Sequence, residues 1–159
     1  MLVGIISDSH DHLDRLRLGM ERLEKEAAEV LLHPGDIIAP FAAKLLLNWN
    51  KPLRVIYGNN DGERRGLKSV LPNIVDGPVL VELDGCRISM DHYPPSNEHS
   101  PIEPADVVLF GHTHEVLVEE RDGVLHLNPG ECCGWVTGRP TIATFDTETR
   151  HVEIIPLDG

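Results

Sequence analysis

The sequence predicts an α/β fold: two mixed β-sheets packed face to face and flanked by helices, a four-layer αββα sandwich. Three observations lead there. From Leu2 to Asp61, short apolar runs closed by polar loops alternate with amphipathic segments, the strand, loop and helix rhythm of an α/β domain. After Val79 the rhythm changes to hairpins with Asp-Gly turns at Asp84-Gly85 and Asp122-Gly123. The 159 residues, 41% hydrophobic and 25% charged, suffice to bury a core as one domain spanning residues 1–159 without disulfide staples.

Leu2–Ile6 is a continuous apolar run, as expected of a strand buried on both faces of a parallel sheet. It opens at once into six polar residues, Ser7-Asp8-Ser9-His10-Asp11-His12. Between Asp11 and Ala28, Leu13, Leu16, Met20, Leu23 and Ala27 share one face while Arg15, Arg17, Glu21, Glu24 and Glu26 fall mostly elsewhere, which predicts an amphipathic helix of roughly four turns. A second strand, Val30–His33, closes on Pro34-Gly35-Asp36, and Phe41–Trp49 is apolar enough for a helix packed on the sheet. A third strand, Leu53–Tyr57, closes on Gly58-Asn59-Asn60-Asp61. Val79–Leu83 and Cys86–Met90 then form a hairpin that ends at Asp91-His92-Tyr93-Pro94-Pro95. Pro94–Pro104 carries four prolines and no periodicity, so it reads as a loop or lid holding one helical turn at most. Val107–Phe110 is a short buried strand, followed by Gly111-His112-Thr113-His114. Strands near 115–120 and 124–127 meet at Asp122-Gly123, Asn128-Pro129-Gly130-Glu131 reads as a turn, and Ile142–Asp146 pairs with Val152–Pro156 in a last hairpin.

Composition narrows the function. A formal charge of −12 argues against general affinity for nucleic acid, which rests on Lys and Arg neutralising phosphates. Most of that charge reads as a solvated acidic surface, and it is compatible with a cation held among carboxylates. No run approaches the ~20 apolar residues a membrane helix needs, and the N-terminus lacks the basic segment of a secretory signal. Three cysteines, Cys86, Cys132 and Cys133, make no disulfide framework and point to a reducing, cytoplasmic setting. The adjacent pair Cys132-Cys133 lacks the spacer of a zinc–thiolate site.

Ligands of open α/β sheets bind beyond the carboxyl ends of the strands. The polar loops after the first three strands should therefore converge and bring Asp8, His10, Asp36 and Asn59 together. His92, His112 and His114 also follow strands. Spaced at i and i+2, His112 and His114 leave an extended chain on one face, and Gly111 allows the sharp turn that aims them. Two carboxylates, one amide oxygen and four imidazoles suit Mn(II), Fe(II), Co(II), Ni(II) or Zn(II) better than Ca(II) or Mg(II). Seven donors are too many for one tetrahedral ion and fit two ions that share a carboxylate. Each also has a structural reading: Asp8 and Asp36 as caps of the following helices, Asn59 as a turn residue. His12, His33, His99, His126 and His151 carry no motif and read as structural.

Taken together, Asp8-Ser9-His10, Gly35-Asp36, Gly58-Asn59-Asn60-Asp61, His92 and Gly111-His112-Thr113-His114 resemble the motifs of the calcineurin-like metallophosphoesterase superfamily. The small size, His33-Pro34-Gly35-Asp36 and Asn128-Pro129-Gly130 are similar to the small bacterial and archaeal phosphodiesterases of the YfcE/MJ0936 type. The resemblance covers nearly the whole chain. It implies that Asp8, His10 and His114 bind one metal and Asn59, His92 and His112 a second, with Asp36 bridging and Mn(II) the first expectation. It further implies ions ~3.5–4 Å apart sharing a hydroxide that attacks phosphorus in line. The implied substrate is a small phosphodiester, with Asp36, Asn59, Asn60 and His92 at the reacting group and a homo-oligomer left open. Competing functions are a catalytically silent scaffold of the same fold, a phosphomonoesterase and a nucleotide pyrophosphatase.

The sequence departs from the family pattern at three places. Asn60 stands where many members carry a proton-donating His, and an amide cannot donate a proton at neutral pH. Tyr93-Pro94-Pro95 replaces the usual continuation after His92. Glu131 replaces a common Ser, and a carboxylate near the pocket would repel anionic substrates unless it faces solvent.

Overall fold

Strand pairing in the computed structural model, which describes Met1–Asp158, sorts ten strands into two five-stranded sheets. Along the chain run β1 (Leu2–Ile5), α1 (Leu13–Lys25), β2 (Val30–His33), α2 (Pro40–Leu46), β3 (Leu53–Val55) and α3 (Arg64–Val70). The hairpin β4 (Val79–Leu83) and β5 (Cys86–Met90) follows, then β6 (Val107–Leu109), the hairpin β7 (Val116–Arg121) and β8 (Val124–Pro129), and the pair β9 (Thr141–Asp146) and β10 (Val152–Pro156).

The first sheet has the order β10-β9-β1-β2-β3, with β1, β2 and β3 parallel and β9 antiparallel to both its neighbours. The second has the order β4-β5-β6-β8-β7, in which β5, β6 and β8 run parallel between two antiparallel edges. Both sheets are mixed, as the sequence predicts. Between them lies one apolar cluster, Val3, Ile5 and Leu32 facing Ile88, Met90, Leu109 and Leu127. The other cluster lies between the first sheet and the helices, where Ile6, Leu31 and Val55 meet Leu16, Met20, Leu23, Leu46 and Leu67. All three helices thus cover the first sheet. Over the outward face of the second lies the irregular segment after β5, tied down where Ile102 N–H donates to the buried Ser89 Oγ (2.8 Å).

The elements differ from the sequence reading mainly at their ends. Helix α1 starts at Leu13 rather than Asp11, because Asp11 sits at φ 58° and His12 is the N-cap, accepting from Arg15 N–H through Nδ1. Helix α2 begins with Pro40 at its first turn and ends at Leu46; Asn48 and Trp49 bond three residues back, and Trp49 turns into the core. Neither Asp8 nor Asp36 caps a helix. Helix α3 gives no sequence signal, since seven residues with Leu67 alone buried leave no stripe to read. No helical turn forms between Pro94 and Pro104. Asn128 and Pro129 are no turn either: they extend β8, opposite Leu117 and Val116.

Candidate metal centre

The site lies where β1, β2, β3, β5 and β6 end. Eleven non-glycine residues have positive φ, and seven of them, Asp8, His10, Asp11, Asp36, Ile38, His112 and His114, sit in three of these loops. Such backbone costs energy and persists only where surrounding structure fixes it, so the clustering marks the loops as functional. The first two are zipped together by backbone bonds: Asp8, His10 and Asp11 N–H donate to Gly35, Asp36 and Ile37 carbonyls at 3.0–3.2 Å. The expected extended exit of His112 and His114 does not occur. Both residues are left-handed, at φ 67° and 64°, and Gly111 is required for another reason. A Cβ there would lie 2.1 Å from Ser7 Oγ and 2.6 Å from Asp8 Oδ2. The strand after Val108 must pass against the Asp8 loop, and only glycine fits.

Asp8, His10, Asp36 and His114 offer one donor atom each within 4.8 Å of one another. His10 Nε2 stands 3.2 Å from Asp36 Oδ2 and 3.7 Å from Asp8 Oδ1, while His114 Nε2 stands 3.5 Å from Asp8 Oδ1. Asp8 Oδ1 and His10 Nε2 are buried without a hydrogen-bond partner, which native proteins rarely tolerate. Burial works against protonation of His10, yet the Asp36 and Asp8 carboxylates outweigh it and raise the imidazole to about 9. A cation between these atoms would satisfy both orphans.

On the other side of Asp36, His92 Nε2 and His112 Nδ1 lie 2.8 and 3.0 Å from Asn59 Oδ1. His92 Nε2 is also 3.4 Å from Asp36 Oδ2. His92 Nδ1 donates to the Pro34 carbonyl (2.8 Å), so in the neutral ring Nε2 carries a lone pair that faces other acceptors. Such an array needs a proton or a cation at its centre. The site thus has two halves around one carboxylate, with His112 in one and His114 in the other. Burial disfavours ionisation of Asp36, but the adjacent His10 and His92 imidazoles and the hydrogen bonds from Asn60 hold it well below the usual carboxylate range.

The residues that hold these donors are less visible in sequence. Asn60 is one: its N–H and side-chain amide donate to Asp36 Oδ1 and Oδ2, both at 2.9 Å. Asp61 accepts from Asp36 N–H (2.9 Å), Gly58 N–H (2.7 Å) and Ile38 N–H (2.7 Å), tying the loops after β2 and β3 together; burial pushes its carboxyl up. His33 is buried and accepts from Gly35 N–H through Nδ1, leaving Nε2–H for Ser9 Oγ at 3.0 Å. Its structural reading agrees with the geometry.

Glu131 resolves the question its sequence position raises. It is fully buried, so it neither faces solvent nor enters the pocket as a free charge. Oε2 accepts from His114 Nδ1 at 2.5 Å, and Oε1 accepts from Thr137 N–H (2.6 Å) and Oγ1 (2.7 Å). Val136 N–H and Cys133 Sγ also donate to it. Burial opposes ionisation, but the His114 and Thr137 donors keep Glu131 at about 2. Carboxylates commonly orient ligand imidazoles in this way, and the only hint in sequence is an acidic residue in an otherwise apolar stretch. Cys133 lies close to His114 and Glu131, but burial and the neighbouring Glu131 push its thiol to about 12, so it stays protonated.

Comparison with known proteins agrees with this geometry. Residues 1–150 match the family model of the calcineurin-like phosphoesterase superfamily domain. The chain is 42% identical to phosphodiesterase MJ0936 of Methanocaldococcus jannaschii, covering 99% of this chain and all of that protein. It is 28% identical to a probable metallophosphoesterase of Methanothermobacter thermautotrophicus, covering 100% of this chain and 87% of that protein. A solved archaeal phosphodiesterase superposes with a TM-score of 0.87 at 38% identity, over 98% of this chain and 99% of that one. YfcE, a phosphoesterase from E. coli, shares the fold at a TM-score of 0.75 and 18% identity, over 99% and 100% of the two chains. The fold, the paired donor clusters and these likenesses agree: the chain belongs to the calcineurin-like phosphoesterase superfamily.

Proposed function

We propose that the protein is a metal-dependent phosphodiesterase that hydrolyses small phosphodiesters at a dinuclear centre. The observation that carries this is the division of seven donors into two sets around Asp36, with buried polar atoms of the first set left without a hydrogen-bond partner and His92 Nε2 of the second facing the Asn59 oxygen. Asp8, His10 and His114 would hold one ion, Asn59, His92 and His112 the other, and Asp36 both. The mixed nitrogen and oxygen set suits Mn(II), with Ni(II), Co(II), Fe(II) and Zn(II) as alternatives. When bound, such a pair supplies an activated water and the positive charge that stabilises a phosphoryl transition state. The 42% identity with a phosphodiesterase over the full chain supports the substrate class.

The protein's own contribution is to fix the donors before substrate arrives. Asn60 pins both oxygens of Asp36, Pro34 sets the tautomer of His92, and Glu131 sets that of His114. Because its amide is committed to Asp36 and carries no acidic proton, Asn60 gives nothing to a departing alkoxide. Good leaving groups should therefore be favoured. Rates for aryl diesters of graded leaving-group pKa should fall steeply as that pKa rises; a flat series would assign the proton to another group.

The test of the function is metal removal and replacement. Chelated protein resupplied with each of the five metals should turn over bis(p-nitrophenyl) phosphate, faster than p-nitrophenyl phosphate, and bind metal by calorimetry. Metal binding without turnover under any metal would leave a scaffold rather than an enzyme.

A further inference from the structure

Trp135 is 64% exposed, an unusual place for the largest apolar side chain, and its neighbour Val136 is 71% exposed. Neither is loosely held. Trp135 Nε1–H donates to the His10 carbonyl at 3.3 Å, and its ring lies on His12 at 4.5 Å and 21°. His12 is itself fixed as the N-cap of α1. The Trp135 loop runs beside the Asp8 loop, with Cys132 and Cys133 N–H donating to the Ser7 and Asp8 carbonyls. Glu131 closes it by accepting from Val136 and Thr137 N–H while it orients His114. The ring is therefore stacked on an imidazole and otherwise largely exposed, and its indole edge is anchored to the backbone of His10, a donor of the site. The same carboxylate positions the aromatic ring and a donor of the centre.

We propose that Trp135 is a stacking ledge for a flat, π-bearing ester group of the substrate, an aryl ring or a nucleobase, and so determines which phosphodiesters are used. This rests on the phosphodiesterase reading. An indole fixed before binding loses little freedom when a second ring covers it, so the stack selects flat groups over alkyl ones. A phosphodiester presents two organic groups to the site. The ledge is placed for the one on the His10 side, whatever happens to the other.

The test separates the ledge from the chemistry. Methyl p-nitrophenyl phosphate and bis(p-nitrophenyl) phosphate share a leaving group and differ in the remaining ester. In Trp135→Ala, kcat/KM for the bis-aryl diester should fall about tenfold more than that for the methyl diester. Trp135→Phe keeps a ring and should retain most of the preference. Equal losses on both substrates, or equal losses in the Phe and Ala variants, would make Trp135 a support for His10 and overturn the ledge. Binding gives a readout independent of turnover. Diphenyl phosphate should quench the exposed Trp135 and bind about tenfold tighter than dimethyl phosphate, and Trp135→Ala should erase both effects. Trp49, the other tryptophan, is buried and serves as an internal reference. Methyl adenosine 5′-phosphate identifies the group: a Trp135-dependent gain over dimethyl phosphate assigns a nucleobase, and its absence an aryl ring. Wild-type protein that turns over neither nitrophenyl ester defeats the phosphodiesterase reading, while the binding ratio still decides the ledge.

Discussion

At the scale of single residues, the site depends on side chains that fix other side chains. Asp36 is the clearest case, since it faces both halves of the centre and is pinned by Asn60 at both oxygens. If the centre is dinuclear as proposed, Asp36→Asn should lower kcat for an aryl diester by about a thousandfold, because a carboxylate shared by two ions would be lost to both at once. Retention of more than a tenth of the activity would show that Asp36 serves neither. Glu131→Gln keeps size but removes the charge beside His114 Nδ1. Calorimetry should show metal affinity reduced ~10–100-fold at one site with the other unchanged. Equal weakening at both sites would instead mean that the whole loop had moved. His33 makes a different prediction. Burial lowers its pKa to about 4 from the ordinary 6.5, so between these values the unfolded chain binds a proton that the native protein does not. The native state then loses stability as pH falls from about 6.5 towards 4, by about 3 kcal/mol in all, with no contribution above that window. Urea unfolding across that range should give a shallower slope for His33→Gln than for wild type, and equal slopes would contradict the assignment.

At the scale of elements, the sequence is legible where burial and period coincide. Leu2–Ile6, Val30–His33 and Val79–Met90 are read correctly because apolar runs and an Asp-Gly turn leave few alternatives. Helix α3 is not, because it buries one residue. Asp8, His10, Asp36, Asn59, His92, His112 and His114 can be named in sequence because strand ends in α/β sheets converge, and the structure does bring them together. What holds them is hidden, since left-handed aspartate and histidine carry no sequence signature. Glu131 is hidden for another reason: its partner His114 comes near only once β6 and β8 have paired, and Thr137 only when the loop after Glu131 folds back on it. Gly111 shows how one residue can be noticed for the wrong reason, its role being close approach rather than turning. Gly111→Ala places a methyl group against Ser7 and Asp8. It should lower metal affinity in the Asp8, His10 and His114 half at least tenfold, with far-UV circular dichroism unchanged. Unaltered binding would mean that the two loops part without cost.

At the scale of the whole molecule, two sheets place five strand ends at one rim, and the charge of −12 leaves a surface that tolerates captured cations. No helix among the described residues is long and apolar enough to cross a membrane. Because the donors come from loops spread between Asp8 and His114, metal binding should couple to the stability of both sheets rather than to one loop. At a metal concentration a hundred times the Kd the native state gains about 2.7 kcal/mol for each ion bound, which should raise Tm by roughly 5–10 °C per ion in a single cooperative transition. A melting temperature indifferent to Mn(II) and to chelator would mean that the site captures no ion. The most direct test is a stoichiometric titration of metal-free protein with Mn(II), followed by hydrolysis of bis(p-nitrophenyl) phosphate. A dinuclear centre predicts activity that keeps rising until two ions are bound per chain. A plateau at one ion, or no hydrolysis with two bound, would contradict it.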